Sequence, residues 1–494
     1  VNHVEAAVRS PDTFFIGGEW VAPATDELIE VISPVTEEVF ATAPAGARPD
    51  IDHAVARARA AFDHGPWPRM SPKERADIMA ALADRLAARS EEIAQLITRQ
   101  NGCPISFSRP GQALGPVLIL RYYADLVRDF AFEQERPSLY GPGRNVVRRE
   151  PLGVVGAIVP WNAPLLVSLL KLAPALAAGC TAVLKPAPET PLDSYILAEC
   201  VRDAGVPAGV VNIVAAGREV SEYLVTHPDV DKIAFTGSSA TGRRIAALCG
   251  ERLRPVTLEL GGKSAAIVCD DADLDAVLPG LVSASTTVSG QACVSQTRIL
   301  ASRKRYQEVS DGLTECYRAL RVGDPLDPET AIGPMVAQRQ RARVEDYIAS
   351  GRAEGARVTV GGGRPAHLSS GWYVEPTIFV DVDNRMRIAQ EEIFGPVTSI
   401  IAYDDVAEAV ALANDSAYGL SGTVWSADPE YALGIARQVR TGTLTVNGFM
   451  VEFNCPFGGY KDSGLGREGG PEGLDAYLEH KTIALPENVS AVFS

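Results

Sequence analysis

Val154-Val155-Gly156-Ala157-Ile158-Val159 opens a series of short apolar or β-branched runs that continues with Thr181-Ala182-Val183-Leu184, Val210-Val211-Asn212-Ile213-Val214 and Lys232-Ile233-Ala234-Phe235. Segments of helical composition separate them. Runs without polar alternation belong to strands buried on both faces, and their alternation with helices predicts a doubly wound, largely parallel sheet. A second strand and helix series runs from Ala265 to about Val446 and includes Val358-Thr359-Val360, Thr398-Ser399-Ile400-Ile401 and Thr443-Leu444-Thr445-Val446. Two pieces stand outside both series. Arg136 to Glu150, with Gly141-Pro142-Gly143 between strand-like arms, predicts a hairpin, and Lys481-Thr482-Ile483-Ala484-Leu485 predicts one more strand. Nearer the amino terminus, Ser71-Pro72-Lys73-Glu74 has the form of a capping box with Pro at the first helical position. Behind it Ile78, Leu82, Leu86, Ile93 and Leu96 extend a long or broken helix to about Gly102.

The chain of 494 residues is too long for one core, and ~100–200 residues per domain implies roughly two to four domains. Lys and Arg number 46 against 62 Asp and Glu, a net charge of −16. Such a surface repels phosphate backbones and anionic lipid, so neither nucleic acid nor a membrane is an expected partner. The eight cysteines lie far apart, with no C-x-x-C pair and no His at metal-ligand spacing. They read as reduced, mostly core thiols, with no metal site. Val1-Asn2-His3-Val4-Glu5 lacks a signal pattern, and the most apolar stretch, Leu165 to Leu184, is interrupted by Lys171, Pro174 and Gly179. A cytoplasmic location is the expectation.

Several residues suit chemistry. Cys293, in Gly290-Gln291-Ala292-Cys293, is either an inert core thiol or a nucleophile whose own amide and flanking Gly let the backbone approach a ligand. Glu259, in Thr257-Leu258-Glu259-Leu260-Gly261-Gly262-Lys263, is an isolated carboxylate in apolar sequence. Burial there raises its pKa and suits a general base, the alternative being a structural pairing with Lys263 or Arg254. Asn162, after Val159-Pro160-Trp161, offers an amide donor to an oxyanion, or simply an Asn turn between prolines. Lys185 stands at the carboxyl end of a strand, where such sheets hold cofactors, though a solvated loop lysine fits equally. Phe235-Thr236-Gly237-Ser238-Ser239-Ala240-Thr241-Gly242 closes a strand and opens a helix, which presents amides to a pyrophosphate. Arg243-Arg244 stand where a P-loop requires Lys and Ser or Thr, so a nucleotide triphosphatase is demoted.

Together Glu-Leu-Gly-Gly-Lys (259–263), Gly-Gln-x-Cys (290–293), Glu391-Glu392-Ile393-Phe394-Gly395-Pro396 and the Gly-rich segment Pro456 to Glu468 resemble the aldehyde dehydrogenase superfamily, from about residue 13 to 485. The resemblance implies a cofactor domain of residues 1–127 and 149–258 and a catalytic domain of 259–447. A β arm of 128–148 with the C-terminal segment 448–494 would join copies into a homodimer or homotetramer. It implies NAD, with NADP possible, and a small-molecule aldehyde oxidised to an acid. Cys293 would attack the aldehyde, Asn162 and the Cys293 amide would hold the oxyanion, and Glu259 would activate the water that releases the product. Lys185 and Glu392 would bind ribose, Trp161 and Phe394 would pack on the cofactor, and Ser238 with Gly237 would meet the pyrophosphate.

Three departures from the family pattern matter. An acid often found three residues after the lysine, where it bonds the adenosine ribose, is replaced by Pro188, which leaves NAD versus NADP open, though the following Glu189 could reach the same hydroxyls. Thr287 occupies the stretch before Gly-Gln-x-Cys where Phe and Asn are common, and Ala163 follows Asn162 where an aromatic is common. These small residues predict a widened apolar tunnel lined by Ala163, Leu166, Leu170 and Thr287, suited to a medium-to-large uncharged aliphatic or aromatic aldehyde. A CoA-acylating semialdehyde dehydrogenase needs no water-activating base, so Glu259 argues against it. A Cys hydrolase lacks a histidine in any motif with Cys293, and a silent binding protein on this scaffold has no use for the intact set.

Overall fold

The computed structural model describes residues 12–487 and 489. The reading of the first five residues, and of the end of the C-terminal segment, lies outside the described residues. The first apolar series forms an eight-stranded sheet, ordered Glu19–Val21, Phe14–Ile16, Val211–Ile213, Thr181–Lys185, Val154–Ile158, Lys232–Thr236, Val256–Glu259, Gly464–Leu465. Its centre is parallel and its edges are antiparallel. Counted along the chain, the parallel strands stand in the order 3-2-1-4-5. The order reverses between Val154–Ile158 and Lys232–Thr236, and the crevice at the carboxyl ends of such strands is where open α/β sheets take ligands.

The central strands carry no polar alternation because each side packs a core. Val155 and Ala157 enter one cluster while Val154 and Ile158 enter another. The second series forms a seven-stranded sheet, ordered Arg357–Val360, Thr377–Val380, Val397–Tyr403, Arg298–Ser302, Ala265–Val268, Gly422–Trp425, Thr445–Val446. It too is double-faced, with Ala265 and Ile267 on one side and Ala266 and Val268 on the other. The strand expected over Thr443–Val446 shrinks to Thr445–Val446, because the Gly442 and Thr443 amides turn to the carbonyls of Gly419 and Leu420.

The hairpin is present and longer than expected, Glu133–Pro137 against Gly143–Pro151. The tail strand Leu478–Pro486 adds to it in unbroken antiparallel register from Leu478↔Pro151 to Pro486↔Gly143. The capping box forms, Ser71 Oγ accepting from the Glu74 amide. The helix behind it is broken at Arg89 into Pro72–Ala88 and Ser90–Asn101, and Gly102 ends the second in left-handed geometry. Among the described residues, no helix is long and apolar enough to cross a membrane, and no group of side chains could hold a metal ion.

Candidate active site

A cavity of about 920 Å³ opens at the reversal point of the first sheet and brings together Asn162, Glu259 and Cys293. Cys293 follows a tight turn in which Val288, Ser289 and Gly290 all have positive φ, at 52°, 55° and 73°. Left-handed geometry costs ~1–3 kcal/mol at a non-glycine residue, so the surroundings must impose it. Ser289 Oγ accepts the Gly333 amide at 2.9 Å and Gln291 Oε1 accepts the Val336 amide at 3.0 Å. A Cβ on Gly262 would lie 2.3 Å from the Cys293 carbonyl oxygen, so only glycine admits this approach. The thiol is half-buried. Burial first, then the nearby Glu392 and Glu259, push its pKa up to about 12, while its own amide and that of Val294 act in the opposite sense.

Glu259 ends the strand Val256–Glu259, opposite Thr236 of the neighbouring strand. It is 3% exposed, and neither carboxylate oxygen has a hydrogen-bond partner. Burial, followed by the charge of Glu468, raises its carboxyl well above the usual range against the pull of Lys171 and Arg467. The alternative pairings do not form: Lys263 Nζ has no partner, and Arg254 donates to the Val225 and His227 carbonyls. Behind Glu259, Lys171 Nζ meets Glu468 Oε1 at 2.6 Å and donates to Thr236 Oγ1 at 2.7 Å.

Asn162 is held from several sides. Its Nδ2 donates to the Gln291 carbonyl at 2.9 Å, which ties it to the turn before Cys293. Its own carbonyl accepts from Gln112 Nε2 at 2.8 Å and Asn101 Nδ2 at 3.2 Å. Gln112 comes from a π-helical stretch, Ser108–Leu114, a local distortion common near functional sites.

On the other side of the cavity, Trp161 and Phe394 meet edge to face with centroids 5.3 Å apart. Ser238 caps the helix Ser239–Gly250, and the Gly237 amide donates to the Glu259 carbonyl at 3.0 Å. Glu392 accepts the Gly262 amide at 2.9 Å, and burial pushes its pKa up to about 7. Lys185 ends its strand with 5% exposure, its pKa lowered to about 8 by burial against the opposing charge of Glu189. Glu392 and Phe394 line the cavity; Lys185 and Glu189 do not. Glu189 is ion-paired with Arg339 instead of facing the cavity. A helix start, a glycine turn, a buried lysine at a strand end and a buried carboxylate beside the reversal point fit a dinucleotide.

Ala163, Leu166, Leu170 and Thr287 all line the cavity, joined by Phe107, Leu118, Tyr122 and the segment 449–454. The sequence reading missed those additions, as well as Gln112, Asn101 and the Lys171–Glu468 pair. Lys171 alone had a signal, as the one charged residue between Leu165 and Ala178.

The family model of the aldehyde dehydrogenase family matches residues 20–483. The geranial dehydrogenase of Castellaniella defragrans is 50% identical over 95% of this chain and 98% of its own. A crystal structure of a Mycobacterium tuberculosis aldehyde dehydrogenase complexed with NAD+ has a TM-score of 0.95 at 48% identity, covering 97% of this chain and 99% of that one. Another, of a mutant of aldehyde dehydrogenase C from Pseudomonas syringae with NAD+ and octanal, has a TM-score of 0.93 at 40% identity and covers 98% of both chains.

Proposed function

The chain belongs to the aldehyde dehydrogenase family and oxidises aldehydes with NAD, and from that premise we propose that Cys293 is its nucleophile, Glu259 its general base and Asn162 an oxyanion donor. The observation that carries this reading is the sharing of one cavity by a thiol, a side-chain amide and a carboxylate with two unpartnered oxygens. Cys293 Sγ, as the thiolate left after its proton passes to water, attacks the aldehyde carbon and breaks the carbonyl π bond, which gives a thiohemiacetal oxyanion. The oxyanion is stabilised by Asn162 Nδ2–H and the Cys293 amide, donors fixed before the charge develops. NAD, when bound, would supply the acceptor for the hydride. An acyl thioester on Cys293 remains, which Glu259 resolves by taking a proton from the water that attacks it, expelling the thiolate and the acid. Trp161 and Phe394 would pack on the cofactor, Lys185 and Glu392 would bind ribose hydroxyls, and Gly237 with Ser238 would meet the pyrophosphate. Glu189, ion-paired with Arg339, would reach the adenosine ribose hydroxyls.

We assign residues 1–127 and 149–258 to the cofactor domain, 259–447 to the catalytic domain, and 128–148 with 448–494 to an arm that joins copies into a dimer or tetramer. Among the described residues, the strand Glu133–Pro137 has only one neighbour in its sheet, an open edge of the kind that pairs with another copy.

Replacing Asn162 by Ala is expected to lower kcat by ~10²–10³, the usual loss of one oxyanion donor. Steady-state kinetics alongside a cofactor-binding titration checks this: a large drop in kcat with unchanged cofactor affinity is the expected pattern.

The substrate is a medium-to-large uncharged aldehyde, aliphatic or aromatic. Support comes from the apolar wall around Ala163, Leu166, Leu170 and Thr287 and from the relative named for geranial. Each methylene taken from water is worth ~0.8 kcal/mol, or about 4-fold in kcat/KM. A panel of straight-chain aldehydes should therefore show kcat/KM climbing steeply from propanal to octanal, with geranial and benzaldehyde accepted. Succinic semialdehyde outperforming hexanal and benzaldehyde would contradict the assignment.

A further inference from the structure

We propose that Glu452 sets the charge preference of the aldehyde tunnel and turns away aldehydes that carry a carboxylate at their far end. The inference rests on the tunnel reading above and deepens it. The charged residues on the cavity wall are Glu259, Arg343, Glu392, Glu452 and Glu468. Arg343 and Glu392 belong to the cofactor side, where Arg343 donates to the Glu392 carbonyl at 2.5 Å. Glu259 and Glu468 are 3% and 2% exposed at the closed end. Among the described residues that leaves Glu452 as the one charged wall residue on the tunnel side, exposed to solvent. Its carboxylate makes no hydrogen bond or ion pair with a described residue.

The two residues that follow hold it in place. The Phe453 carbonyl accepts the Gly470 amide at 3.0 Å, and Tyr122 Oη donates to the Asn454 carbonyl at 3.3 Å. The Phe453 ring packs on Phe457 at 5.9 Å. Among the described residues of the wall on the tunnel side there is no base to offset the charge. Arg109, beside the wall residue Pro110, is committed to Glu91 through two hydrogen bonds of 2.9 Å. Glu472 adds further negative charge near Tyr122, whose hydroxyl pKa is raised first by burial and then by that carboxylate. An unneutralised carboxylate beside apolar walls has its field focused along the cleft, so a like-charged tail is repelled on entry while a neutral one is not.

The test compares octanal with the eight-carbon aldehyde that ends in a carboxylate, using the full-length wild type, Glu452→Gln and Glu452→Lys at low and high salt. The readout is the ratio of kcat/KM for the anionic over the neutral aldehyde. At a separation of several ångströms near a surface, removing one like charge should raise that ratio roughly 5-fold, and reversing it should raise the ratio further. Salt should raise the wild-type ratio and leave the Gln variant's nearly flat, because screening acts only on the charge that is present. A ratio that is the same in all three proteins, with octanal oxidised well, overturns the role of Glu452 alone. A wild type that oxidises the anionic aldehyde but not octanal overturns the apolar-tunnel reading beneath it.

Discussion

Cys293→Ala is expected to lower aldehyde-dependent NADH formation by roughly 10⁴-fold or more, the scale on which loss of a covalent nucleophile falls. The reason is chemical, since no other thiol is within reach of the aldehyde carbon. Cys293 is the one cysteine lining the cavity; Cys103, Cys180, Cys200, Cys249 and Cys269 are buried elsewhere, and the exposed Cys455 and half-buried Cys316 do not line it. Cys293→Ser should fall nearly as far. A hydroxyl is a weaker nucleophile than a thiol and ionises far less readily, and this site already pushes even the thiol up to about 12. Cofactor affinity should survive both changes, because neither alters Lys185, Glu392 or the helix start at Ser239. Pre-steady-state absorbance at the reduced-nicotinamide band, with cofactor titrated by fluorescence, reads both quantities. Substantial turnover by the Ser variant would contradict the assignment.

Glu259→Gln is expected to separate the two halves of the reaction. Its amide cannot accept a proton from water, so hydride transfer should proceed once per site and hydrolysis should then stall. The expected record is a burst of NADH near one equivalent followed by a steady rate lower by ~10²–10⁴. A pH profile adds an independent readout. Glu259 acts as base only when ionised, and burial with the Glu468 charge holds its carboxyl well above the usual range. Wild-type deacylation should therefore rise with pH through that raised value, and this limb should disappear in the Gln variant. A Gln variant with no burst and a slow, pH-dependent first turnover would instead place Glu259 in the earlier step.

The legible parts of this molecule are those whose physics is local in sequence. Val154–Ile158, Thr181–Lys185 and Lys232–Thr236 are readable because a strand buried on both faces has no polar alternation to obscure it. The helix start at Ser71 is readable because its cap is made by Glu74, three residues on. The short motifs that hold Cys293, Glu259 and Asn162 each end or follow an element, and the fold brings the three to one cavity. What the sequence hides depends on distant pairs. Lys171 and Glu468 are 297 residues apart, and nothing near either names the other. Glu189 lies in a turn, and its ion-pair partner Arg339 is 150 residues away on the helix Gln338–Ala353, a pairing its neighbours in sequence do not announce. The π-helical turn that delivers Gln112 to Asn162 has no propensity signature, since its register follows from packing. The shortened strand at Thr445 shows the same limit, because backbone hydrogen bonds to Gly419 and Leu420 set its end.

The whole reaction turns on a covalent acyl intermediate carried by one sulfur. Mass spectrometry of the Glu259→Gln protein, quenched in acid after mixing with NAD and octanal and followed by peptide mapping, looks for it directly. A mass increase of one octanoyl group is expected, confined to the peptide containing Cys293 and matched in amount to the NADH burst. A burst without any acyl adduct, or an adduct on Cys455 or another residue, would refute the mechanism.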